Sequence, residues 1–170
     1  MQKKALKRTC VCGAMIGLAI VFCRMLGFPP SGMWRIELSF LPIAFVGMLY
    51  GPLWAGASYT IADVVGAAIY TGVNPFIALE KCLMGVVMGL FFHRQNKLGI
   101  WKILVSMSII AVFLDFLMMS FIFHYAFGYA WEAALPLRLV NAAVNLVVRA
   151  AILILCERGK VYEKFSSVLQ

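Results

Sequence analysis

SFLPIAFVGMLYGPLWAGASYTIADVVGAAIYTG, residues 39–72, decides the fold. Gly51-Pro52 marks a tight turn between two apolar runs. Neither run contains a lysine or an arginine, and the second carries a single carboxylate, Asp63. Uncharged runs joined so closely belong in a bilayer. An acid at that depth is costly, so it has a partner or a purpose.

The rest of the chain agrees with that environment. Of its 170 residues 64% are hydrophobic and only 13% charged, and the mean hydropathy is +0.93. A soluble domain of this size needs far more polar surface. About 20 apolar residues cross a bilayer as a helix. The expectation is an all-α polytopic protein forming a single transmembrane substrate-binding domain over 1–170. Its six transmembrane helices are expected near 9–27, 38–50, 53–71, 76–92, 101–123 and 135–156, with short loops between them.

A net charge of +8 invites a nucleic-acid reading, but the charges sit in the wrong places for one. Lys3, Lys4, Lys7 and Arg8 precede the first run, and Arg94, Lys97 and Lys102 lie between the fourth and fifth. Arg158, Lys160 and Lys164 follow the last. Six spans put all of them on one face, which the positive-inside rule makes cytoplasmic, together with both termini. No nucleic-acid partner is expected; the lipid bilayer is. The basic start and apolar core around Ala14–Phe22 imitate a signal peptide but lack a small-x-small cleavage site, so the first helix is read as retained. Five cysteines without a CxxC pair and two distant histidines, His93 and His124, give no metal site and no cofactor.

Helical periodicity sorts the polar residues. In the third helix Gly56, Tyr59, Thr60, Asp63, Gly66, Ala67 and Tyr70 share a face, and Ile61, Val65 and Ile69 form the opposite, aliphatic one. Asp63 therefore faces helices or a cavity. In the sixth helix Arg138, Asn141, Asn145 and Arg149 recur at steps of three, four and four. Each charge near midplane costs about 2.5–3.5 kcal/mol, so this stripe also faces inward. Arg138 and Asn141 fall near the depth of Asp63. Asn145, lower down, is within reach of Asp115 of the fifth helix. Glu80 and Lys81 are adjacent and point about 100° apart on a helix, which leaves one free to face the interior and the other the outer surface. Gly13 and Gly17, and likewise Gly85 and Gly89, are small residues four apart. Such pairs let a second helix approach closely, from this chain or from another.

Together these residues outline one constellation: Asp63, Arg138 and Asn141, with Trp34 and Arg35 from the outer loop 28–38. The carboxylate accepts hydrogen bonds from an amino-substituted heterocycle, Arg and Asn bind carboxylates or ring carbonyls, and an aromatic plane covers a flat ligand. Asn74, in the outer turn before the fourth helix, joins them as a candidate contact. The plain alternatives are an Asp63–Arg138 ion pair and interface anchoring of Trp34. The enzyme readings fail. The chain has no GxxxxGK[ST] loop, no G-x-S-x-G and no H-E-x-x-H, so it is not expected to be an enzyme or to bind ATP itself.

The order of Leu41-Pro42, Gly51-Pro52 with Gly56, Ala62-Asp63 with Gly66, Gly72 with Pro75-Phe76, and Gly85 with Gly89 resembles the substrate-binding membrane subunits (S components) of energy-coupling factor vitamin transporters, particularly the folate group. Gly13-xxx-Gly17 ahead of Arg24 stands where that family has an Ala-xxx-Ala pair. Arg138 followed by Asn141 is similar to its last helix. The resemblance spans about 9–156. It implies a six-helix subunit of the bacterial plasma membrane that captures a vitamin, folate first, from outside. The same resemblance implies docking through Gly13 and Gly17 on a transmembrane coupling protein with two cytoplasmic ATPases, loop 28–38 serving as the gate. One stretch departs from the folate group: Asn74-Pro75-Phe76-Ile77 replaces a Pro-Gly-Phe-Thr pattern at the outer mouth. Two other classes fit the helix count: a membrane scaffold of the rod-shape type, and a self-contained transporter using Asp63 and Asp115 as proton carriers.

Overall fold

The computed structural model describes residues 2–24, 36–70, 72–93, 95 and 99–161. Among the described residues the chain forms helices and no strand: α1 (Gln2–Arg24), α2 (Phe40–Tyr50), α3 (Pro52–Tyr70), α4 (Pro75–Phe92), α5 (Ile100–Phe127) and α6 (Trp131–Arg158). Of these, α1, α4, α5 and α6 are long and apolar enough to cross a membrane, and α2 is a shorter apolar helix. A hydrocarbon solvent explains the all-helical outcome, because a helix pairs every backbone polar group within its own segment. The helices fall into two compact units, one of α1 to α4 and one of α5 and α6.

The first unit is built around the stretch that opens the sequence reading. α2 stops at Gly51, whose φ of +92° suits a residue without a Cβ, and Pro52 begins α3 at once. α3 returns along α2, and α4 packs on both. Glycines set these distances. A Cβ on Gly85 would come within 2.6 Å of the Ala55 carbonyl oxygen, and one on Gly89 would overlap the Pro52 backbone. A Cβ on Gly47 would stand 3.0 Å from Gly89 Cα. The small-residue pair of α4 is thus used inside the unit, where backbone-to-backbone approach supplies the dispersion contacts that hold helices together in lipid. Phe40, Ile43, Met84, Met88 and Phe92 fill the space around it and are fully buried. Arg8, nearly two turns inside α1, lies over the Tyr50 ring at 5.9 Å and links α1 to the end of α2. The aliphatic face of α3 turns outward as its periodicity implies, with Ile61, Val65 and Ile69 all exposed.

This packing makes a specific demand. Gly89→Ala should destabilise the purified protein by about 1–3 kcal/mol, because the obstacle is backbone rather than a movable side chain. Gly17→Ala, where an added Cβ meets nothing within 4 Å, should be neutral or stabilising by up to about 1 kcal/mol through helix propensity. Thermal denaturation in one detergent, run on both variants, checks the contrast.

In the second unit α6 packs along the length of α5. The middle of α5 departs from the α-helix. Over Ile110–Met118 the turns widen to π geometry, and the Met119 N–H donates to the Leu114 carbonyl five residues back. Widened turns of this kind are rare and shift the facing of everything beyond them. Asp115 lies inside the segment.

Candidate functional site

Asp63 is half-buried on α3, and its surroundings are more ionic than the sequence implies. Glu80 and Lys81 do not divide between interior and surface: both are buried. The Lys81 ammonium donates to Glu37 Oε2 at 2.7 Å and lies 3.3 Å from Glu80 Oε2. The helix brings neighbouring side chains to one ion because the lysine stem is long enough to fold back over its own turn. The same ammonium sits 5.6 Å from the centroid of the Tyr59 ring, and Asp63 is within electrostatic reach of it. The Tyr59 hydroxyl is 3.0 Å from Ser39 Oγ. Glu37 and Ser39 precede α2, so this cluster ties the approach to α2 to both α3 and α4. Sequence reasoning missed it. Glu37 and Lys81 are 44 residues apart, and no periodicity connects them.

Asn74 acts as the N-cap of α4. Its side-chain oxygen accepts from the Phe76 N–H at 3.0 Å, and Pro75 occupies the first turn. Gly13 and Gly17 are exposed on α1, and a Cβ on either would meet nothing within 4 Å. Among the described residues, no helix uses that notch. Trp34 and Arg35 lie outside the described residues.

The stripe of α6 is buried throughout: Arg138 is 6% exposed, Asn141 7%, Asn145 2% and Arg149 2%. Its partners differ from those its spacing implies. Asp115 is taken by Arg149, with Nη1 at 2.5 Å from Oδ2 and Nη2 at 3.4 Å from Oδ1. Asn145 instead donates to Asn141, at 2.7 Å to Oδ1 and 3.0 Å to the carbonyl oxygen. A guanidinium fork matches a carboxylate better than an amide does, and Arg149 is one turn beyond Asn145 on the same face. Arg138 lies over the Phe123 ring of α5, its guanidinium carbon 3.7 Å from the centroid. Nearby, His124 stacks on Trp131 at 4.4 Å, and its Nδ1 is 2.8 Å from the Tyr129 carbonyl oxygen. Arg138 and Asn141 thus present fixed polar groups on a common face, with an aromatic ring beneath the arginine.

The family of ECF transporter substrate-specific components matches residues 7–155. A relative described as the folate transporter FolT of Clostridium novyi (strain NT) is 30% identical over 141 residues, covering 82% of this chain and 81% of the relative. The fold is similar to that in the crystal structure of FolT bound with folic acid, with a TM-score of 0.83 at 21% identity, over 90% of this chain and 93% of that one.

Proposed function

The chain belongs to the family of ECF transporter substrate-specific components, and on that premise we propose that it is the folate-binding subunit of such a transporter. It is a multi-pass protein of the plasma membrane, read here with both termini in the cytoplasm. Asp63, Arg138, Asn141, Asn74, Trp34 and Arg35 serve as ligand contacts. The observation that carries the reading is the relative named a folate transporter, aligned over most of both chains. The polar residues support it chemically. An amino-substituted heterocycle needs carboxylate acceptors such as Asp63, and the carboxylates of a glutamate tail need a guanidinium and an amide such as Arg138 and Asn141. Holding these groups buried before the ligand arrives lowers the ordering cost of binding.

The subunit itself then supplies recognition only. Energy comes from two cytoplasmic ATPases acting through a membrane-embedded coupling protein, which docks on α1 at Gly13 and Gly17. The exposed, unfilled notch there supports that assignment.

The test is a thermal-shift screen of B-vitamins on the detergent-purified chain. Folic acid or a reduced folate should raise the melting temperature, and Asp63→Ala and Arg138→Ala should each weaken binding by about tenfold or more, the usual loss for a charge-assisted contact. If riboflavin, thiamine or biotin stabilises the protein and folates do not, the substrate assignment is wrong. Stabilisation by none of the vitamins would remove the reading altogether.

A further inference from the structure

The ionic cluster of the first unit holds more charge than a structural ion pair requires. Two carboxylates, those of Glu37 and Glu80, contact one ammonium, that of Lys81, and a third, Asp63, is within its electrostatic reach. Their positions along the helices explain how they meet. Asp63 lies seven residues before the end of α3 at Tyr70, and Lys81 six residues after the start of α4 at Pro75. At about 1.5 Å per residue both stand about 10 Å from the end where α3 hands over to α4. The Lys81 stem does not carry its charge to that end as a snorkelling lysine does. Its ammonium turns inward and sits between elements.

A cluster of this kind is a poor stabiliser. The desolvation cost of buried charges commonly cancels their attraction, and apolar replacements of similar volume are often as stable. The ammonium does something apolar groups cannot do: it fixes carboxylate oxygens in place. Accessibility separates the carboxylates it holds. The side chains of Lys81 and Glu80 are 4% and 0% exposed, while Glu37 keeps 15% and Asp63 is half-buried. Glu37 and Asp63 are therefore the more accessible of the three.

We infer that Lys81 is a positioning residue that orients Glu37 as an acceptor for the N–H donors of an amino-substituted heterocycle, which makes Glu37 a ligand contact alongside Asp63. The inference deepens the folate reading and rests on it. An acceptor held at Glu37, with Asp63 as the second, suits a ring edge that presents neighbouring N–H groups, such as the 2-amino and ring N–H edge of a pterin. Acceptors fixed in this way discriminate, because a ligand lacking the donor leaves a buried carboxylate without its hydrogen bond.

Dissociation constants for folic acid and for an analogue lacking the 2-amino group, measured on the purified full chain, test this. Wild type should prefer folic acid. Lys81→Met should lose about tenfold or more of its folic acid affinity and little of its affinity for the analogue, so that the preference collapses. Lys81→Arg should restore part of it. Glu37→Gln should lower folic acid binding selectively, and it decides the matter if Lys81→Met does not fold. An unchanged preference in Lys81→Met or Glu37→Gln overturns the inference while leaving the folate reading intact, as does an equal loss for both ligands. Absence of folic acid binding by wild type would overturn both.

Discussion

Arg149→Met is expected to cost about 3–5 kcal/mol of stability, the penalty for leaving one member of a buried ion pair alone. The Arg149 and Asp115 side chains are 3% and 12% exposed, and Asp115 lies within the π-helical segment Ile110–Met118. Without the guanidinium, the carboxylate is left without its ionic partner in a membrane-spanning helix, where an uncompensated charge is costly. The double variant Asp115→Leu/Arg149→Met should recover most of the loss, since it removes both charges and refills the volume. A double-mutant cycle read by thermal denaturation in detergent separates the outcomes. If the single variant is as stable as wild type, the pair does not hold α6 to α5. If the double variant is no better than the single, Arg149 acts through other contacts. The same cycle bears on the ion-gradient alternative. A carrier role for Asp115 requires it to be free of Arg149 for part of the cycle, so a pair that proves essential for stability counts against it.

Periodicity made one level of this structure legible and left the next one dark. It identified which faces turn inward and which do not: the polar face of α3 inward, the aliphatic face opposite outward, and inward all four members of the α6 stripe, each of which is buried. It did this because burial in a helix depends on a residue's angle around the axis, which the sequence states directly. It did not identify partners across helices. Asp115 is nearest in pattern to Asn145 but pairs with Arg149, since the length and fork of the arginine decide the contact and the π turns change the angle of α5 midway. Glu37 carries no pattern within the outer loop 28–38, and adjacency alone leaves open which of Glu80 and Lys81 faces the interior. The Glu37–Lys81 bridge depends on a three-dimensional approach of the α2 lead-in to α4 that no local pattern encodes. The glycines were legible as close-packing residues, yet Gly85 and Gly89 serve the chain's own core while Gly13 and Gly17 meet nothing among the described residues. The same four-residue spacing describes both pairs, so only coordinates distinguish an internal seam from an open one.

That difference yields the second large effect. Gly13→Leu/Gly17→Leu should abolish vitamin uptake while leaving vitamin binding and stability close to wild type. A Cβ at either position meets nothing within 4 Å among the described residues. At a helix–helix contact in lipid a leucine prevents the backbone approach on which association depends. Overpacking of about 1–3 kcal/mol at each position weakens docking by roughly tenfold to hundredfold per site. The measurement needs the whole proposed assembly: the chain reconstituted in liposomes with the proposed coupling protein and ATPases, ATP inside, and labelled folic acid outside. Binding to the purified subunit is followed in parallel. Uptake lost with binding retained fits a docking face on α1. Uptake retained would move the docking surface elsewhere. A fall in melting temperature would mean instead that the notch packs against this chain's own residues. A Gly13→Ala/Gly17→Ala control sharpens the result. It keeps small residues at both positions and should keep both activities, because a methyl group still admits a neighbouring helix where an isobutyl group does not.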